Sequence, residues 1–221
     1  MFCNQAEEYG IVSAEIYCSW SRSIPFGLPL DGAVTAWGQA GRIRGCLVFL
    51  EKLLPNEYVE SIHDIRIEQL RARDIRAIIT DLDNTLVEWD RPLATPEVER
   101  WFAALREAGI QVTVVSNNKQ ERVLTFCQPL GVNYIWAARK PTGRAFMRAV
   151  REMDVPIEQT VVIGDQLFTD VLGGNLLGFY TILVVPVTET DGFWTRINRW
   201  LERIVLYWMR RKGMISWKSK S

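Results

Sequence analysis

One histidine, His63, is all that 221 residues contain. That excludes a multi-histidine metal centre, and a Ser-His-Asp hydrolase would hang on one residue in a polar stretch before the first strong strand. Cysteine is scarce as well. Cys3, Cys18, Cys46 and Cys127 show no C-x-x-C spacing, so free thiols in a reducing compartment are expected rather than a disulfide framework or thiolate metal site. Net charge is missing: 26 Lys and Arg balance 26 Asp and Glu, and no whole-molecule field draws the chain to nucleic acid. No apolar run approaches the ~20 residues that span a bilayer. The first residues include Glu7 and Glu8 and no basic leader, unlike a signal peptide. A cytoplasmic or organelle-matrix location is the expectation.

What is present is ordinary in bulk and uneven along the chain. Hydrophobic residues make up 48% and charged residues 24%, as in a globular protein, and the length suits one α/β domain with extensions. Residues 1–45 carry six glycines and no sustained period of 2 or 3.6, so a poorly structured extension is expected. Residues 46–74 read as a helical lead-in: a short apolar stretch stopped by Pro55, then a helix from about Glu57 to Arg73.

Residues 75–190 alternate strand with helix. Ala77-Ile78-Ile79-Thr80 has the few polar residues of a strand buried on both faces. Thr95-Pro96 opens a helix with a core stripe of Val98, Trp101, Phe102 and Leu105, closed by Gly109. Further strands are expected at Ile110 to Val115, Tyr134 to Trp136, Val161 to Ile163 and Thr181 to Val185, with helices between them. The pattern predicts an α/β fold, a five-stranded parallel sheet flanked by helices. His63 is read as a surface residue, and Gly173-Gly174 as close helix–sheet packing.

In such a sheet ligands sit outside the carboxyl ends of the strands, and the polar residues gather there. The first strand runs into Asp81-Leu82-Asp83-Asn84-Thr85, the second into Ser116-Asn117-Asn118. Lys140 follows the third, and Asp165 and Asp170 follow the fourth. Asp81 and Asp165 on adjacent strands repel each other unless a cation intervenes, and hard oxygen ligands suit Mg²⁺. Lys140 and Ser116 are suited to holding phosphate oxygens. A carboxylate in that company is a candidate nucleophile toward phosphorus, and Asp83 a candidate acid/base. Asn84, Asn117 and Asn118 read as loop-shaping residues.

The series Asp81-x-Asp83-x-Thr85, Ser116, Lys140 and Gly164-Asp165 with Asp170 resembles the four signature motifs of the haloacid dehalogenase superfamily. The order matches, and the spacing does too: 35 residues from Asp81 to Ser116, 24 on to Lys140, 25 on to Asp165. The strings DLDNTLVEWDRP, SNN, ARKP and GDQLFTDVLGGN are similar to the capless, YqeG-type phosphatases, whose eukaryotic relatives dephosphorylate phosphatidylglycerophosphate. The resemblance, over roughly residues 50–212, implies a Rossmann-like core without a cap domain. It implies Asp81 as nucleophile, Asp83 as general acid/base, and Ser116 and Lys140 as phosphate-binding residues. It further implies Mg²⁺ on Asp81, the Asp83 carbonyl and Asp165, with Asp170, Thr85 and Asn117 in support.

The tail, residues 191–221, is the other uneven feature. From Gly192 onward eight Lys or Arg face one acid, Glu202, and four tryptophans are present. Phe193, Ile197, Trp200, Leu201, Ile204 and Trp208 fall on one helical face. A basic, Trp-rich amphipathic helix suits an anionic membrane surface, and the commoner alternative is a helix packed on the domain. The expected partner is a phosphorylated substrate, with a phospholipid favoured over a nucleotide, sugar phosphate or phosphoprotein. A peripheral membrane association fits that choice, and self-association is left open.

Overall fold

In the computed structural model, residues 51–188 and the helical positions 205, 207 and 211 are described. The expected extension at 1–45 and most of the tail at 191–221 lie outside the described residues. Strand β2, Ala77–Thr80, is buried throughout and stands in the middle of a parallel sheet. Its neighbours are β5 (Thr160–Gly164) and β3 (Gln111–Val115), with Ile79 level with Val162 on one side and Thr113 on the other. Outward lie β4 (Asn133–Ile135) beyond β3, and β6 (Tyr180–Val184) then β1 (Glu57–Val59) beyond β5.

Alternation along β2 divides the core, because successive strand side chains point to opposite faces. Ile78 joins Trp101, Phe102, Leu105 and Phe126 on one face. Ala77 and Ile79 join Phe146, Ala149 and Phe179 on the other. The first face is covered by α2 (Pro96–Glu107) and α3 (Gln120–Leu130), and the second by α4 (Arg144–Met153). Phe126 and Phe146 are fully buried, each contributing about 3 kcal/mol by removal from water. Helix α2 begins as its sequence demands. The Thr95 side chain accepts from the Val98 N–H at 3.3 Å, Pro96 takes the first turn, and the chain leaves through Gly109 at φ +74°. Between β5 and β6 a π-helical turn, Leu167–Val171, leads into α5, Leu172–Leu177. A Cβ on Gly173 would meet Phe146 at 2.8 Å and one on Gly174 would meet Thr181 at 2.7 Å, the close packing expected of that pair.

Among the described residues the sheet has six strands, not five. The extra one is β1, inside the segment expected to be helical from Glu57 to Arg73; there the helix is confined to α1, Ile67–Ala72, after a 3₁₀ turn at Ile62–Asp64. Glu57-Tyr58-Val59 is too short to show a period, and it becomes a strand by pairing with Ile182, Leu183 and Val184. Asn56 ties that edge down by accepting from the Thr181 N–H at 2.8 Å. His63 is exposed, as expected. Among the described residues no helix is long and apolar enough to cross a membrane.

Candidate active site

Where β2 ends, the Asp81 N–H still donates to the Ile163 carbonyl at 2.9 Å, carrying the sheet ladder one residue beyond the strand. Leu82 then drops into the core, fully buried, and Asn84 turns the chain at φ +64°, a conformation Asn tolerates better than most residues. Its backbone holds the reversal, donating to Val87 O at 2.7 Å and accepting from Val187 N–H at 2.9 Å. Asp81 and Asp83 are left facing one cleft of about 330 Å³, shared with Ser116, Asn118, Lys140 and, on its exposed rim, Trp89.

The other strand ends converge on Asp81. Lys140 Nζ lies 2.7 Å from Asp81 Oδ1 and 2.6 Å from Asp170 Oδ1, its side chain only 3% exposed. Arg139, its neighbour, is exposed, so the buried cation of the pair is Lys140. Asn117 fixes its backbone: Asn117 Oδ1 accepts from the Lys140 N–H at 2.7 Å and Asn117 Nδ2 donates to the Lys140 carbonyl at 3.4 Å. Ser116 is buried, and its Oγ accepts from the Asn118 N–H at 3.1 Å. Thr85 Oγ1 donates to Asp165 Oδ1 at 2.9 Å. Asp170 Oδ2 accepts from the Gln166 N–H at 3.3 Å and from Thr169 Oγ1 at 3.2 Å. Gly164 makes room for this group, since a Cβ there would overlap the Asp170 carboxylate.

Asp81, Asp165 and Asp170 each bring a carboxylate oxygen within 4.8 Å of the others. Three carboxylates this close repel one another when ionised, and Lys140 contacts two of them, Asp81 and Asp170. Such an all-oxygen group fits a divalent cation of the hard class. The titration of the group follows its burial. Burial pushes the Asp170 carboxyl up to about 6, opposed by Lys140 and reinforced by Asp81. Burial pulls the Lys140 ammonium down, but Asp170 and Asp81 more than reverse this and hold it above its ordinary value. Asp83 is raised by burial and by Asp81, against the pull of Asn118 and Arg122.

Every residue singled out in the sequence for the site is therefore brought to one end of the sheet. Two neighbours were missed as partners. Asn118 Nδ2 donates to Asp83 Oδ2 at 3.0 Å, and Arg122 Nε donates to Asp83 Oδ1 at 3.1 Å. Asn118 read as a loop shaper and Arg122 was not singled out, and no local pattern marks either as a carboxylate partner.

The sequence profile of the haloacid dehalogenase-like hydrolases matches residues 25–178. The chain belongs to this family. Among individual proteins, it is 58% identical over 165 residues to the probable phosphatase YqeG of Bacillus subtilis (strain 168), covering 75% of this chain and 96% of that one. It is 26% identical over 178 residues to phosphatidylglycerophosphate phosphatase 1, chloroplastic/mitochondrial, of Arabidopsis thaliana. That match covers 73% of this chain and spans about half of the plant protein, 49%. A solved structure, the cobalt-bound deoxy-D-mannose-octulosonate 8-phosphate phosphatase YrbI of Haemophilus influenzae, aligns with a TM-score of 0.44 at 17% identity, over 64% of this chain and 91% of that one. As a haloacid dehalogenase-like phosphatase the chain is capless: α2 is the one helix between β2 and β3, and α3 the one between β3 and β4.

Proposed function

We propose that this hydrolase is a Mg²⁺-dependent phosphate-monoester phosphatase that works through an aspartyl-phosphate on Asp81 and takes phosphatidylglycerophosphate as substrate. The observation that carries the chemistry is the meeting of Asp81 with Lys140 Nζ at 2.7 Å in a cleft shared with Ser116 and Asp83. An Asp81 carboxylate oxygen attacks phosphorus, the bond from phosphorus to the leaving alkoxide breaks, and Asp83 gives its proton to that alkoxide. Asp83, then a carboxylate, takes a proton from water as the water oxygen bonds to phosphorus. The bond to Asp81 breaks and inorganic phosphate leaves. Lys140 and the Ser116 hydroxyl hold the non-bridging oxygens throughout.

Asp81, the Asp83 carbonyl and Asp165 are the groups to hold Mg²⁺, with Asp170, Thr85 and Asn117 keeping them in place. When bound, the ion neutralises the grouped carboxylates and the phosphoryl oxygens.

Three features support the lipid substrate. The plant relative is a phosphatidylglycerophosphate phosphatase. No cap domain is inserted between the described strands to exclude a headgroup presented at a bilayer. The tail is basic and rich in tryptophan. The enzyme on this reading is cytoplasmic or in an organelle matrix and peripheral on an anionic membrane. The test is phosphate release by the purified full chain with Mg²⁺, from phosphatidylglycerophosphate in micelles beside nucleotides, sugar phosphates and a phosphopeptide. Preference for the lipid is expected, with no turnover by Asp81→Asn. Preference for a soluble ester would transfer the substrate assignment, and a fully active Asp81→Asn would remove the nucleophile.

A further inference from the structure

Asp83 is held by two side chains, Asn118 and Arg122, to which the resemblance assigns no role. Asn118 donates to one carboxylate oxygen at 3.0 Å, and Arg122 donates to the other from Nε at 3.1 Å, with Nη2 in ion-pair contact with that same oxygen at 2.9 Å but outside hydrogen-bond geometry. The ion pair is largely screened from water, the two side chains being 16% and 18% exposed. Arg122 has two further anchors. Its Nη1 donates to the Pro92 carbonyl at 3.3 Å, and its guanidinium lies 5.8 Å from the centroid of the buried Phe126 ring. A planar fork already held at two other points loses little freedom when it also grips a carboxylate.

We propose that Arg122 is the positioning residue for the acid–base group of this hydrolase: it holds the Asp83 carboxylate toward the cleft and ties it to the Trp89–Leu93 segment that begins at the cleft rim. This rests on reading Asp83 as the general acid and base. Asn118 steadies the second oxygen from the loop after β3, so the motif-bearing loops at β2 and β3 are joined through Asp83. Arg122 is not among the residues lining the cleft; it acts through Asp83 alone.

That confinement gives the test, made with the full chain, Mg²⁺ and two soluble esters. Phenyl phosphate has a poor leaving group that needs a proton, and p-nitrophenyl phosphate a good one that needs little help. With Arg122→Gln, kcat/KM for phenyl phosphate is expected to fall about tenfold, part of the roughly 10²–10⁴-fold that general acid–base catalysis supplies. For p-nitrophenyl phosphate the fall is expected to stay within about threefold. Arg122→Lys, which keeps the charge and loses the fork, should recover part of the phenyl phosphate rate. In an Asp83→Asn background Arg122→Gln should cost nothing more, since a residue acting through another has no effect once that other is gone. If Asp83→Asn leaves phenyl phosphate hydrolysis intact, the role given to Asp83 fails, and Arg122 has no acid to position. If Asp83→Asn is impaired but Arg122→Gln lowers both esters alike, has no effect, or adds its full loss to that of Asp83→Asn, the inference about Arg122 is overturned and the role of Asp83 stands.

Discussion

Replacing Lys140 with Met removes the ammonium that contacts Asp81 and Asp170 and keeps most of the side-chain volume. Nζ lies 2.7 Å from Asp81 and 2.6 Å from Asp170, both nearly buried. Breaking a buried ion pair by deleting one partner costs roughly 3–5 kcal/mol when the orphaned charge must stay ionised. Here the acids have an escape, because they can keep a proton, and so the cost depends on pH. In the intact protein Asp170 titrates at about 6, above its ordinary 3.8, mainly through burial. A group whose folded value is raised favours folding below its unfolded value and loses that contribution as pH rises through the folded value. For the intact protein the loss from Asp170 is complete soon after pH 6. Without Lys140 the folded value climbs, and the loss continues at about 1.4 kcal/mol per pH unit. The stability gap between the two proteins should therefore widen by up to roughly 3 kcal/mol between pH 6 and pH 8. Urea unfolding of both proteins in EDTA at the two pH values measures it. Turnover should fall at least about 100-fold at either pH, since a phosphoryl-oxygen donor is lost. A gap of the same size at pH 6 and pH 8 would refute the charge balance assigned to this site.

Three further perturbations probe other parts of the reading. EDTA should silence phosphate release and Mg²⁺ restore it, with Asp165→Ala requiring more Mg²⁺ for half-activation; undiminished turnover in chelator would rule out the divalent cation. Gly164→Ala places a methyl on the Asp170 carboxylate and should destabilise by about 1–3 kcal/mol while lowering activity, as thermal unfolding and an aryl phosphate assay will read; an unchanged variant would mean that Asp170 has room to move. A chain ending at Asp191 should still hydrolyse p-nitrophenyl phosphate and lose most of its activity on phosphatidylglycerophosphate in anionic vesicles, and vesicle binding by the full chain should weaken as salt rises. Equal retention of both activities would detach the tail from substrate delivery, and unfolding would make it part of the core.

The division between what the sequence discloses and what it hides follows the range of the interactions. Ala77 to Thr80 can be recognised as a central strand because burial on both faces leaves only Thr80 polar among four consecutive positions. Helix α2 carries its own start in Thr95-Pro96 and its own face in Val98, Trp101, Phe102 and Leu105. The carboxylates, Ser116 and Lys140 are legible for a related reason: each ends or closely follows a strand, so the parallel order of the sheet suffices to bring them together. Strand β1 lacks any such local mark, since its three residues are a strand only against β6, 125 residues further on. Asn118 and Arg122 are hidden in the same way. Both act on the Asp83 carboxylate, from 35 and 39 positions away, and neither distance leaves a period or a spacing. The π-helical turn at Leu167–Val171 adds a case within one segment. Strings at Gly164-Asp165 and Asp170 mark two acids, but the widened turn decides that Asp170 returns toward Lys140 instead of standing at the start of a regular helix. The residues proposed to carry chemistry can thus be found from strand ends, whereas those proposed to aim them belong to contacts between loops and emerge only once the loops are placed.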